Sequence, residues 1–82
     1  MINVIEACRL ATTEKSEPYV EKITDIGHSF IIGTMSSSGE IADTSPCIVN
    51  KENGNVDVCF VPKYFNEIKK GKVISIPAEY SI

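Results

Sequence analysis

The sequence predicts an α+β fold with an N-terminal helix, about four strands that include a hairpin over residues 46–61, a short C-terminal helix and an edge strand. Three observations point there. Apolar residues recur at helical spacing from Met1 to about Lys15, and the pattern stops at Ser16-Glu17-Pro18. Two β-branched apolar runs flank Glu52-Asn53-Gly54-Asn55, and Asn-Gly between such runs signals a hairpin because both residues tolerate positive φ. Pro62 to Gly71 then carries helix punctuation at both ends. At 82 residues and without an internal repeat, the chain reads as one domain. That is near the size at which one core only just offsets chain entropy.

In the first helix, Met1, Val4, Ile5, Cys8, Ala11 and Thr12 share one side, with Glu6, Arg9 and Thr13 on others. Asn3 followed by Glu6 suits a capping box, and a start at Ile2 fits equally. Pro18 ends the helix because it lacks the N–H for the next turn and disfavours helix in the residue before it. From Tyr19 to Ile26 the apolar positions Val20, Ile23 and Ile26 are spaced by three, which also admits a helix. The β-branched content and the bounds Pro18 and Gly27 favour a strand. Ser29–Met35, with the continuous run Phe30-Ile31-Ile32, fits a central strand covered on both faces. Thr34 to Ser45 is small and polar without periodicity, and reads as a mobile surface loop.

Two registers are open for the hairpin over residues 46–61. A two-residue Asn53-Gly54 turn sets Val49 opposite Val58 and Ile48 opposite Cys59. A three-residue turn with Gly54 as a bulge sets Ile48 opposite Val58 and Cys47 opposite Cys59. The bulged form collects Ile48, Val56, Val58 and Phe60 on one face, with Lys51, Asn55 and Asp57 on the other, and is the expected one. In the second helix Tyr64, Phe65 and Ile68 form the buried side, and Lys69 and Lys70 suit the C-terminal end of the dipole. Lys72 to Ile76 is an edge strand stopped by Pro77, and residues 77–82 are expected to fray.

A formal net charge of −3 and a pI near 5.0 argue against general affinity for nucleic acid or an anionic membrane, and suit a partner with a basic surface. Three cysteines, Cys8, Cys47 and Cys59, are too few and odd in number for a secreted disulfide scaffold. The N-terminus lacks a basic region followed by an apolar run, and no apolar stretch reaches membrane-spanning length. A cytoplasmic setting is expected. A Cys–His nucleophile built on Cys47 or Cys59 needs His28 within hydrogen-bond reach, which spacing alone does not supply. Three Cys and one His suffice in number for zinc, yet Cys-x-x-Cys spacing is missing. The carboxylates are scattered, and Lys63, Lys69, Lys70 and Lys72 read as the solvated end of a helix. No catalytic residue, cofactor or metal ligand is expected.

The stretch Ser45-Pro46-Cys47-Ile48-Val49-Asn50-Lys51-Glu52-Asn53-Gly54-Asn55-Val56 resembles the Pro-x-x-Val-Asp/Asn-Lys-x-Thr/Asn-Gly-x-Val segment of small bacterial immunity-type domains with PepSY-like, half-cystatin architecture. Upstream, Asp25-Ile26-Gly27-His28-Ser29-Phe30-Ile31-Ile32 is similar to their Asp-x-Gly-x-x-Phe-x-Phe strand start. Ile31-Ile32 stands where an aromatic residue often follows, and Asn50 where Asp is common. The resemblance implies a curved antiparallel sheet with the N-terminal helix packed across one face, and a non-enzymatic protein that neutralises a bacterial toxin by binding it. The expected contact residues are Ser36, Ser37, Ser38, Glu40 and Asp43 of the polar loop, with Glu52, Asn53 and Asp57 of the hairpin. Two other readings stay open: a thiol- or metal-dependent protein using Cys47, Cys59 and His28, and a structural domain whose copies pair edge strands across a two-fold axis.

Overall fold

A computed structural model gives the architecture and describes residues 1–40 and 45–82. Helix α1 (Val4–Lys15) is followed by strands β1 (Tyr19–Asp25), β2 (Ser29–Met35), β3 (Cys47–Asn50) and β4 (Val56–Val58). A 3-10 turn (Val61–Tyr64) runs into helix α2 (Phe65–Lys70), then strand β5 (Lys72–Ile74) and a last 3-10 turn (Ala78–Tyr80). The sheet is antiparallel throughout, in the order β4-β3-β2-β1-β5. It thus has five strands: the expected meander of four, plus the C-terminal strand added beside β1. Among the described residues, no helix is long and apolar enough to cross a membrane.

The ends of α1 are set locally. Asn3 Oδ1 accepts from the Glu6 N–H at 2.9 Å, which satisfies one of the orphan donors at the helix start. The Glu6 carboxylate does not return to Asn3; it pairs with Arg9 instead, so only half of the capping box forms. Ser16 closes the helix at φ 55, and the Glu17 N–H donates to Thr12 O at 3.1 Å. The buried stripe is narrower than expected. Ala7, Cys8 and Ala11 are buried and Val4 and Leu10 pack at its margins, whereas Met1 and Ile5 are exposed. Small side chains at the contact let the helix axis approach the sheet closely.

Two cores result. Between α1 and the sheet lie Val20, Ile23, Phe30, Ile32, Cys47 and Val49, flanked by Val56, Ile74, Ile76 and Tyr80. On the other face Ile31, Ile48 and Cys59 are covered by Ile26, Tyr64 and Ile68. The three-residue spacing in β1 has a structural cause. Val20 pairs with Thr34 and Lys22 with Gly33, leaving Glu21 as an extra bulged residue. The bulge returns Val20 and Ile23 to the same face.

Three expectations are corrected here. The hairpin takes neither anticipated register: Cys47 pairs with Val58, Ile48 with Asp57 and Val49 with Val56. Asn50 Oδ1 accepts from the N–H groups of Glu52 (2.8 Å) and Asn53 (3.2 Å), and the Gly54 N–H donates to Asn50 O at 2.9 Å. Lys51 to Gly54 therefore form a four-residue loop with Gly54 at φ 74. Second, Val56 and Val58 lie on the α1 face, opposite to Ile48, and Cys47 does not face Cys59. Third, the C-terminal tail is ordered: residues 78–80 form a turn and Tyr80 packs against the inner core.

Candidate functional site

The predicted contact residues fall in two separate places. Ser36, Ser37, Ser38 and Glu40 follow the end of β2 in a tied turn. The Ser36 N–H donates to Glu40 O at 2.9 Å, and the Ser36 and Ser38 hydroxyls are 3.0 Å apart. Asp43 lies outside the described residues. Glu52 and Asn53 are exposed at the hairpin tip, with Asp57 exposed on β4. The hairpin tip lies at the other end of β2, because Ser29 pairs with Asn50. The Ser36–Glu40 turn and the tip are thus separated by the length of β2, roughly 20 Å at ~3.3 Å per residue, with Asp57 between them, in register with Ile48 and Ile31.

The groups named for thiol or metal chemistry are also apart. Cys8, Cys47 and Cys59 are free and buried. Burial pushes the Cys8 thiol up to about 11, and raises those of Cys47 and Cys59 as well, which disfavours the reactive thiolate. Cys47 faces α1, whereas Cys59 belongs to the outer core. The exposed His28 has its Nδ1 2.8 Å from Ser29 Oγ and its Nε2 2.9 Å from Glu67 Oε1. Among the described residues, no cluster of three His, Cys, Asp or Glu is arranged to hold a metal ion.

One polar cluster was missed by sequence reasoning. The Lys51 ammonium donates to Asp25 Oδ1 at 2.7 Å and sits 4.7 Å from the Phe30 ring centroid. The same carboxylate oxygen accepts from the Gly27 N–H at 2.8 Å. Lys51 chiefly, with help from Gly27, holds the Asp25 carboxyl below its usual range despite partial desolvation. The pair borders an open cleft of about 480 Å³ that Glu67, Lys70 and Lys72 also line. Asp25-x-Gly27 was a readable turn signal; Lys51, distant in sequence, was not.

The more informative surface lies at β4. Val58, Phe60 and Phe65 are 63%, 64% and 61% exposed, and Val61 is exposed too. These are half of the eight exposed large hydrophobics among the described residues, and they fall in one eight-residue stretch. Sequence reasoning buried Val58 and Phe60 on the bulged-register face and Phe65 on the second helix. The observed register moves Val58 to an outer margin, and Tyr64 and Ile68, not Phe65, cover the outer core. Between α1 and β4 runs a cleft of about 230 Å³ lined by Glu14, Cys47, Val56, Asp57 and Val58 among others. Asp57 also borders a second cleft with His28, Ser29 and Tyr64 on the opposite face.

A scan of protein-family models and searches of curated proteins and of solved structures returned no match to this chain.

Proposed function

We propose that this protein is a non-enzymatic binding module whose partner is another protein, of the immunity type that neutralises a bacterial toxin in the cytoplasm. The observation that carries the reading is the concentration of exposed apolar side chains from Val58 to Phe65 beside an outer strand. Water-exposed Phe and Val side chains grouped in this way mark interaction surfaces more often than they occur by chance. The acidic balance of the chain, with Glu52 and Asp57 near this edge, favours a basic partner. The resemblance of the hairpin to immunity-type, PepSY-like domains supports the same class. Ser36–Glu40, at the far end of β2, is on this reading peripheral to the contact.

The test is neutralisation. The protein is co-expressed with the product of the adjoining gene, and growth rescue and stoichiometric co-purification are measured. Phe60→Ser with Phe65→Ser is expected to abolish both while leaving the thermal midpoint nearly unchanged. Loss of rescue on Cys47→Val or Cys59→Val in a protein that still folds, with the phenylalanine variant active, would overturn the reading in favour of thiol chemistry. Rescue that tracks dimer formation would favour the edge-paired structural domain.

A further inference from the structure

We infer that β4 receives an added strand from the partner, and that the strand it fits alternates apolar and basic residues; this inference rests on the binding reading above. Backbone geometry supplies the first half. The Asn50 N–H donates to Asn55 O at 2.9 Å and the Cys59 N–H to Pro46 O at 2.8 Å. In an antiparallel ladder, residues that bond inward alternate with residues that do not. Asn55, Asp57 and Cys59 therefore bond to β3, and the N–H and C=O groups of Val56 and Val58 point away from it. β4 is an outer strand of the sheet. The Val58 N–H takes a makeshift partner, the carboxylate of its own neighbour Asp57, at 3.1 Å.

Side-chain chemistry supplies the second half. On the α1 side an incoming strand meets Val56 and Val58 and the cleft toward Glu14 and Lys15 of the last helical turn, which Cys47 also lines. That face accepts apolar side chains spaced by two. On the opposite face it meets Asp57. A backbone carbonyl arriving at the Val58 N–H releases the Asp57 carboxylate, which is then free to pair with a lysine or arginine between the two apolar residues. The other outer strand, β5, carries Lys72 and follows Lys69 and Lys70, the arrangement that discourages edge pairing. A second copy of this chain fits β4 poorly. The two-fold antiparallel pairing that engages both Val56 and Val58 sets Asp57 against its own symmetry mate, and like charges directly opposite are destabilising.

The test titrates isotope-labelled protein with a short blocked peptide of alternating valine and lysine, followed by amide shifts. Shifts centred on Val56–Val58, and affinity at least roughly tenfold weaker in Val56→Pro, are expected, because proline removes an outward N–H without touching the β3–β4 ladder. Asp57→Lys is expected to transfer the preference to an alternating valine–glutamate peptide, a readout independent of whether the proline variant folds. Several results overturn the inference: shifts centred on Lys72–Ile74, equal binding of both peptides by the unaltered protein, no saturable shift, or dimerisation that Val56→Pro abolishes. Neutralisation that survives Val56→Pro but not the phenylalanine substitutions rejects strand addition and leaves the binding module standing. Peptide binding without any neutralised partner rejects the toxin-inhibitor reading and leaves strand addition standing.

Discussion

Lys51 joins several parts of this molecule through its side chain and its backbone. Its ammonium binds Asp25 beside the β1–β2 turn and lies over the Phe30 ring, its N–H donates to His28 O, and its carbonyl accepts from the Ile2 N–H. The pair is only 17% and 30% exposed on the Lys51 and Asp25 sides, so solvent screens it incompletely. Asp25→Asn is expected to cost about 1–3 kcal/mol at neutral pH, as for hydrogen bonds to charged groups. Because folding lowers the Asp25 pKa, its contribution is complete above the ordinary carboxylate value and is lost as pH falls through the folded one. Urea unfolding at neutral and strongly acidic pH is therefore expected to show a gap between the proteins that closes in acid; a gap independent of pH would refute this account. Ser16 offers the reverse case. It is the one residue other than glycine with positive φ among those described, and Ser16→Gly is expected to raise stability by about 0.5–1 kcal/mol, read as a higher thermal midpoint.

At the scale of elements, the two helices are held very differently. α1 is anchored at both ends and buries small residues against β1, β2 and β3. α2 has six residues and reaches the outer core chiefly through Ile68, with Tyr64 of the preceding turn beside it. Its other tie is the Glu67–His28 contact, between two half-exposed groups, which contributes little in water. The outer layer is therefore expected to open before the sheet does. Ile68→Ala, which removes one of the three side chains covering that core, is expected to destabilise by about 1–2 kcal/mol, below the range of a fully buried site. A disulfide reagent is expected to label Cys59 first in that variant, with Cys8 and Cys47 still protected by α1. Labelling of all three thiols at one rate would mean that the layer opens only with global unfolding. The hairpin is specified more sharply, since Gly54 must hold φ 74 beside Leu10 and Ile2. Gly54→Ala is expected to cost about 1 kcal/mol through strain alone, because its added methyl meets Leu10 at an ordinary 3.5 Å.

For the whole molecule, the sheet ends in two unlike edges. β5 is bordered by lysines, and β4 leads directly into the exposed run from Val58 to Phe65. Apolar side chains left in water contribute little to folding, so Phe60→Ser with Phe65→Ser is expected to change stability by less than about 0.5 kcal/mol. A loss of several kcal/mol in calorimetry would show that these rings are structural. The tip residues Glu52 and Asn53 precede this edge, while Ser36–Glu40 sits at the distant end of β2. The two-sided sheet also explains how so short a chain buries Ile31 and Ile48 as well as the α1 core.

By itself the sequence determined the features that depend on neighbours a few residues away. Asn3 starts α1 and Pro18 stops its continuation; Asn53-Gly54 reverses the chain; Pro62 and Gly71 bracket the second helical segment. Steric and capping terms act over one turn, so they are visible in a short window of residues. What joins distant residues was decided only by the tertiary structure. The hairpin register passed both anticipated pairings even though its cause is local: Asn50 Oδ1 caps the N–H groups of Glu52 and Asn53 and lengthens the loop. A bulge at Glu21 aligned Val20 with Ile23, and Lys51 met Asp25. The same register carried Val58 out of the core and left the backbone groups of Val56 and Val58 pointing away from β3. Glu52, Asn53 and Asp57 were legible as exposed polar residues, yet the apolar surface beside them was not. A one-residue change in pairing exchanges the faces of a strand, so the length of one loop decided which side chains of β4 meet the α1 core, and that outcome is visible only in the assembled sheet.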